Sequence, residues 1–425
     1  MGANLDQTSI LGNLKQTYAA DLEDNRPLWA VLQERLDPNR DGIEMGDKLN
    51  IPVLLTHQAG ETYDTAGGTT TLRAPISMQI SDAQTDQFEI TQPVRIPFGI
   101  ISKIEQSKKA RFADKARLMV LAGQTGAKRS LELSLLFGSA GLGQVGVAAA
   151  VTGAGPYAVV LTPTAGTWSD GLWGAIENSP IDIYSALSAG TKRNASAGDV
   201  TVQSVDFVGK TITLASATQA DLTAIVVGDF FFPASAYGKQ MLGLMYFMRV
   251  ASTAGQTIMN LSTNFAMWRT KKVTINGPIT FGKLLSGITP AIAHGAEGQL
   301  SVYANSRNCA DLHKDFLSTR RLDASYSEAK LKNGTRAITY VFHKLTLELI
   351  SHDFMMDGDV VVLPEENWFR AGSDPDPTMT LGGKELSVMS SVSNSFEFRW
   401  FSASAIIPNC MATSVYFTGI TPNAS

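Results

Sequence analysis

The chain has 425 residues, of which 44% are hydrophobic and 17% are charged, and its formal net charge is -4. This length and composition indicate a globular protein of two or three domains and exclude a disordered chain. The acidic balance argues against a protein that wraps nucleic acid by neutralising phosphates, but it leaves a locally basic face open. Two cysteines, Cys309 and Cys410, cannot form a disulfide framework and are expected to be buried thiols in a reducing cytoplasm.

The first 48 residues predict an N-terminal arm. Two short amphipathic stretches, at 10–19 and 27–36, flank an acidic break, and Trp29 is the largest apolar anchor of the second stretch. The basic and then apolar layout of a signal peptide is missing. No stretch reaches the roughly 20 apolar residues that a membrane helix needs, so we predict no membrane association.

Residues 49–100 predict an extended arm made of strands. Apolar and polar residues alternate around 76–80, 88–90 and 94–98, and turns are predicted at 66–69 and 82–86. A lone two-stranded ribbon is only marginally stable in water. The arm is therefore expected to lie on something else, most economically another copy of the same chain.

A long helix follows the extended arm. Apolar residues recur every three or four positions from 111 to 136, which predicts one amphipathic helix about 39 Å long. Gly123 and Gly126 indicate a bend or a place where another backbone approaches closely, and two shorter helices are the alternative.

Charge is distributed unevenly between these two elements. Residues 103–129 carry a local net charge of +6, whereas residues 49–102 carry -3. Opposite charges on adjoining elements favour docking between neighbouring copies. Solvated faces, or a helix that faces packaged nucleic acid without sequence preference, are the alternatives. The residues predicted to make inter-subunit contacts are Trp29, Arg73, Asp82, Asp86, Glu89, Arg95, Lys108, Lys109, Arg111, Lys115 and Arg117.

The rest of the chain mixes a few helices with many strands, which indicates an α+β fold. A small β-rich unit is predicted to close near 228–233 and to contain a hairpin, 201–205 with 211–214, whose turn is supplied by Gly209. Helices are predicted at 280–293, where Pro290 limits the last turns, and at 308–317. The remaining predicted strands are at 157–161, 181–184, 338–349, after an Asn333-Gly334 turn, 396–400 and 415–417.

No residue pattern assigns a catalytic, cofactor-binding or metal-binding site, and no enzymatic activity is predicted. Residues 141–146 fit the G-x-G-x-x-G pattern of dinucleotide-binding turns, but a helix precedes them and strand-like sequence follows, so we interpret them as a glycine-rich loop. His343 and His352 are interpreted as ordinary strand and loop residues. The aspartates of 353–359 lack the closing glutamate of a calcium loop, and a surface turn explains them.

The order of these elements resembles that of the HK97-like major capsid proteins of tailed bacteriophages. The resemblance is carried by residues 90–136, where a return strand enters the long helix, by 202–245, and by the ending 396–420. It implies an HK97-like capsid fold with an N-terminal arm at 1–48, an extended E-loop at 49–102 and a peripheral domain with the spine helix at 103–167. A β-rich insert or connection at 168–249, an axial domain at 250–384 and closing strands at 385–425 would follow.

The resemblance also implies a function. The chain would self-assemble as hexamers and pentamers into an icosahedral shell around double-stranded DNA, in a virion assembled in the host cytoplasm. Its other partners would be a portal protein, a separate scaffolding protein and in some cases a decoration protein. No lysine occurs in 49–102, so the lysine-to-asparagine cross-link of some family members is not expected. An encapsulin shell, a nucleotide-dependent oxidoreductase built on 141–146 and a tail or decoration protein are the alternatives.

Overall fold

A computed structural model describes residues 30–38, 48–64, 66, 68, 70–99, 110–153, 155–174, 176–194, 200–320, 338–342, 344–381, 384–385, 387–389 and 394–423. The helices are α1 (Val31–Arg35), α2 (Ala110–Leu136), α3 (Asp170–Trp173), α4 (Gln219–Thr223), α5 (Leu244–Val250), α6 (Phe281–Ala293) and α7 (Ser306–Arg320).

The strands of the first half are β1 (Lys48–Thr56), β2 (Gln79–Asp86), β3 (Phe88–Pro97), β4 (Val145–Ala148), β5 (Tyr157–Pro163), β6 (Pro180–Tyr184), β7 (Val200–Asp206), β8 (Thr211–Ser216), β9 (Phe230–Pro233), β10 (Thr257–Ile258) and β11 (Leu261–Ser262). Those of the second half are β12 (Lys271–Gly277), β13 (Gly298–Ala304), β14 (Ile338–Phe342), β15 (Leu345–Ser351), β16 (Val360–Leu363), β17 (Trp368–Thr378), β18 (Thr380–Leu381), β19 (Lys384–Glu385), β20 (Ser387–Met389), β21 (Ser395–Pro408) and β22 (Val415–Ile420). This mixture confirms the α+β class.

The extended arm is a two-stranded antiparallel ribbon of β1 and β2, from Lys48 opposite Asp86 to Thr56 opposite Gln79. The turn predicted at 82–86 is wrong, because these residues continue strand β2. Ala83, in the middle of that stretch, is fully buried against the body of the chain. Polar composition suggested a turn, but the alternation of inward and outward side chains is that of a strand.

Helix α2 is one continuous helix, so the alternative of two shorter helices is wrong. It packs on β3 and β21, which pair over ten residues from Pro97 opposite Ser395 to Phe88 opposite Ser404. Gly123 makes this packing possible, because a Cβ atom there would collide with Val94. The atoms that approach Gly123 are side-chain atoms of Val94 and Trp400, so the predicted approach of another backbone is wrong at this position.

A six-stranded antiparallel sheet, in the order β4-β5-β8-β7-β6-β9, follows helix α2. Its two edges meet, since Gln144, beside β4, bridges to Phe230 of β9, and the Leu142 amide donates to the Phe231 carbonyl. The predicted β7–β8 hairpin is present, but Lys210 and not Gly209 takes the left-handed conformation in its turn, with φ of 50°.

A second six-stranded sheet has the order β12-β22-β16-β13-β15-β14 and is mixed, with β12–β22 and β13–β15 parallel. Helix α6 packs on β12 and β22, and α7 packs on β15, around a separate apolar core. The single strand predicted at 338–349 is wrong, because the chain reverses after Phe342 and forms the antiparallel pair β14–β15. The Asn333-Gly334 turn lies outside the described residues.

Candidate assembly surface

The outer end of the ribbon exposes large apolar side chains. Tyr63 is 88% exposed, Leu72 82% and Ile76 64%. The paired strands β1 and β2 also expose Leu54 and Ile80, which are register partners, on the face opposite to that of the buried Val53 and Leu55. Exposed apolar side chains of this size are suited to contact with another protein.

The inner end of the same ribbon is buried on its own chain. Val53, Leu55 and Ala83 belong to the main apolar core, and the Gln84 amide donates to the Met259 carbonyl at 2.9 Å. The expectation that the whole arm needs a surface from another copy is therefore wrong for this half. For the outer end, where the described side chains lie away from the core, contact with another copy stays a prediction.

The predicted contact residues fall into four groups. Exposed side chains on the ribbon and on β3 are those of Arg73, Asp82, Asp86 and Glu89. Arg95 is already paired within the chain, since its Nε lies 2.7 Å from Glu397 Oε2. Arg111, Lys115 and Arg117 lie in the first turns of α2, whereas Trp29, Lys108 and Lys109 lie outside the described residues. Docking of the acidic arm on the basic helix stays a prediction.

A buried carboxylate holds the N-terminal segment on the body. Glu132, on α2, is fully buried and accepts the amide N–H groups of Leu32 at 2.7 Å and Gln33 at 3.1 Å. Its third partner is His352, whose Nε2 lies 2.9 Å from Glu132 Oε1. Because His352 Nδ1 accepts the Phe354 amide, the ring proton is assigned to Nε2, which donates to the carboxylate.

A buried guanidinium holds the other end of the same segment. Arg370, on β17, is 1% exposed and donates to the carbonyls of Gln33 at 2.8 Å and Leu36 at 3.2 Å. Its own amide donates to the Asp37 carbonyl at 3.0 Å. An anion at the start of α1 and a cation at its end both match the direction of the helix dipole.

Ion pairs at a more exposed position also join the N-terminal segment to the body of the chain. Arg35 donates to Glu348 Oε1 at 2.6 Å and to Glu365 Oε1 at 3.0 Å. The hydrogen bond from Arg35 lowers the pKa of Glu348 below its usual value. Tyr303 also donates to Glu365, and burial first, then the charge of Glu365, raises the pKa of its hydroxyl well above the usual value.

The loop 352–359 connects the major parts of the fold, and the prediction of a surface turn is wrong. His352 is fully buried, and Asp357 and Asp359 are each 4% exposed. His352 binds the spine helix through Glu132. Asp359 binds Arg249 of α5 at 2.8 Å and Tyr416 of β22 at 2.7 Å. The interpretation of His352 as an ordinary loop residue is also wrong, because it is a buried partner of a carboxylate.

Asp357 joins the first six-stranded sheet to the second. Its Oδ2 lies 2.6 Å from Lys210 Nζ, in the β7–β8 turn, and 3.3 Å from Arg307, in α7. Asn305 donates to its other oxygen. The backbone of Lys210 thus lies in the β7–β8 turn in the left-handed conformation, while its side chain reaches Asp357 in the loop 352–359.

These buried groups were missed because each looks like an isolated polar residue in the sequence. Glu132 stands between leucines at 131, 133 and 135, and Arg370 follows Trp368 and Phe369. A single charge inside an apolar run is the signal that could have found them, since such a charge is buried only with partners.

The glycine motif at 141–146 does not form a dinucleotide-binding turn. Gly146 lies inside β4, which is followed by the antiparallel strand β5 and by no helix. The oxidoreductase alternative therefore loses the geometry on which it depended.

Within the part of the chain that the structure describes, no three His, Cys, Asp or Glu side chains are placed to bind a metal ion together. The same residues include no helix whose length and hydropathy would suit a bilayer. Cys309 and Cys410 are half-buried free thiols and not fully buried ones, and burial raises the pKa of Cys309 to about 12.

No protein-family model matches the sequence, and no curated protein matches it. The structure is similar to a chain of the cyanophage A-1(L) capsid, with a TM-score of 0.57 and 11% identity over 96% of this chain and 98% of that chain. A mycobacterium phage Bobi structure gives 0.45 and 10%, covering both chains fully at 100%. The holo-SrpI encapsulin of Synechococcus elongatus gives 0.42 and 8%, over 98% and 96%. The cyanophage likeness concerns the fold, and it confirms that this chain has the HK97-like capsid-protein fold.

Proposed function

We propose that this chain is the major capsid protein of a tailed bacteriophage. Copies would meet as hexamers and pentamers in an icosahedral shell that encloses double-stranded DNA. The observation that carries the proposal is the ribbon, whose outer end exposes Tyr63, Leu72 and Ile76 while its inner end is locked into the core. The likeness in fold to a cyanophage capsid chain supports the same role.

The physical task of such a protein is assembly, and we propose no reaction for it. Burying an Ile or Leu side chain contributes about 1.5–3 kcal/mol. Several such side chains on one ribbon would give each copy a weak contact, and many contacts made at once hold the subunit by avidity. A ribbon anchored at its base can transmit load from a neighbour to the core of its own chain.

The parts of the chain would then take the roles that the resemblance implies. Residues 49–102 would be the E-loop, 103–167 the peripheral domain with its spine helix, and 250–384 the axial domain, with the arm at 1–48, the insert at 168–249 and closing strands at 385–425. The shell would form in the host cytoplasm with a scaffolding protein and a portal. Contact with DNA would be non-specific, and a decoration protein could bind outside. The lack of lysine in 49–102 argues against a covalent cross-link from this loop.

The test shortens only the outer ribbon. Residues 57–78 are replaced by Asn-Gly, which joins Thr56 to its register partner Gln79 through a tight turn and keeps the buried Ala83. The shortened chain is expected to fold, as judged by circular dichroism, and to form no closed shells in negative-stain micrographs. Normal particles from the shortened chain would contradict the proposal.

Point substitutions provide the matched control. Ile76→Asp on the ribbon is expected to reduce shell yield at least tenfold, because it places a charge in the contact. Val208→Asp changes a side chain that is 96% exposed in the β7–β8 turn and should leave assembly unchanged. Nuclease-treated particles from an infected culture are expected to yield DNA. Particles that instead contain a host enzyme and no DNA would favour an encapsulin shell.

A further inference from the structure

Helix α1 occupies a site on the body of the protein that is lined by buried charged groups. We call this site the arm slot and define it by Glu132, Arg370 and the core surface that buries Leu32 and Leu36, which are 0% and 2% exposed. The two leucines are four residues apart and therefore lie on the same face of the single helical turn.

The arm slot binds the backbone of the segment at both ends. Glu132 accepts the first free amides of the turn, those of Leu32 and Gln33. The Arg370 side chain donates to the Gln33 and Leu36 carbonyls near its end. These are the groups that a short helix cannot satisfy internally. The slot thus recognises one helical turn, with selectivity supplied by leucines at positions i and i+4.

The slot also needs an occupant. Glu132 and Arg370 are both buried, and a buried charge that loses its hydrogen-bond partners is strongly destabilising. Without the segment, Glu132 would keep its contact with His352, and Arg370 would keep its ion pair with Asp376. Neither contact replaces the hydrogen bonds to the backbone of the segment. An empty slot is therefore unfavourable whichever chain supplies the peptide.

We propose that the arm slot is a peptide-binding site for a Leu-x-x-x-Leu helical turn, and that residues 30–38 of a second copy can fill it. Nine residues, 39–47, separate the segment from β1, and nine extended residues span about 30 Å. Every contact described for the slot is made with residues 30–38, so these contacts would be the same whether the segment came from the same chain or from a neighbour. Exchange of arms would then link copies independently of the ribbon.

The first experiment measures binding of an acetylated, amidated peptide of residues 30–38 by fluorescence anisotropy. The protein is the full chain with Leu32→Ser and Leu36→Ser, which weakens its own segment and leaves the slot unchanged. This arm variant is expected to bind the peptide, and a peptide with both leucines replaced by serine should bind at least tenfold more weakly. The unaltered chain should bind little, because its slot is filled.

Absence of binding to the folded arm variant would overturn the proposal, as would equal binding of the two peptides. If the arm variant is insoluble, co-expression of the peptide is expected to restore soluble protein, and the serine peptide is not. Failure of that rescue would also overturn it.

The second experiment tests exchange between copies. The arm variant is mixed with a slot variant, Arg370→Gln, which keeps an intact segment, and both carry the shortened ribbon so that shell assembly does not contribute. Native mass spectrometry is expected to show a one-to-one heterodimer and no comparable homodimer of either variant. Monomers alone in the mixture would refute exchange, whatever the outcome for shell formation.

Discussion

Replacing Glu132 with Ala removes one acceptor from three buried donors at once. The carboxylate binds the amides of Leu32 and Gln33 and the ring of His352 within 2.7–3.1 Å. All of this lies inside the core, where water cannot take the place of the lost oxygen atoms without opening the structure. The change should therefore release the N-terminal segment and weaken the loop that carries His352.

The expected loss follows from the count of donors. Each buried donor left without an acceptor costs about 1–3 kcal/mol. Breaking one side of a buried pair costs about 3–5 kcal/mol, and the two estimates overlap. We therefore expect Glu132→Ala to lower the free energy of unfolding by about 3–5 kcal/mol. Glu132→Gln keeps one acceptor oxygen and should cost about 1–3 kcal/mol.

Urea denaturation followed by tryptophan fluorescence measures the loss, and amide hydrogen exchange at residues 32 and 33 shows where it acts. Glu177→Ala is the matched control, because Glu177 is exposed and its removal should change stability by no more than about 0.5 kcal/mol. If Glu132→Ala matches that control and exchange at 32 and 33 stays slow, the reasoning about the buried junction is wrong.

Four further substitutions test other parts of the fold. Gly123→Ala should lower the melting temperature, since overpacking costs about 1–3 kcal/mol. At Gly126 a Cβ would meet nothing within 4 Å, so Gly126→Ala should raise the melting temperature through about 1 kcal/mol of helix propensity. If both substitutions shifted the melting temperature in the same direction, the packing described for Gly123 would be wrong. Asp357→Ala should cost about 3–5 kcal/mol in urea denaturation, and a loss below about 1 kcal/mol would exclude a structural role for its ion pairs. Because Arg35 lowers the pKa of Glu348 below its ordinary 4.5, the pair stabilises the fold above that pH and is lost as pH falls through the lowered value. The difference in melting temperature between the unaltered chain and Arg35→Met should shrink on acidification, and a constant difference would refute the pairing.

Several elements could be predicted because their signals are local. Helix α2 follows from apolar residues at three- and four-residue spacing, and Ala110–Leu136 agrees with the predicted 111–136. The β7–β8 hairpin follows from two alternating runs around a short turn that contains a glycine. Both periodicities come from the geometry of a single element and need no knowledge of its neighbours.

Other predictions failed where a distant segment changes the meaning of a local pattern. Residues 82–86 look like a turn in isolation, but they form a strand because Ala83 packs into a core made largely from other segments. The 338–349 stretch alternates like one strand, yet it reverses to pair with itself beside β13. Local composition could not supply these neighbours.

Short-range periodicity in the sequence was enough to indicate the helices, the strands and the extended ribbon, because each depends on the geometry of a single element. The capsid fold was indicated only by the resemblance of their order to that of HK97-like capsid proteins. The contacts of Glu132 and Arg370 with the N-terminal segment could be seen only in the tertiary structure. Glu132 lies 100 residues from Leu32, and Arg370 lies 337 residues from Gln33. A charge becomes a buried anchor only when such remote groups converge to pay its desolvation, so its role is a property of the packed molecule.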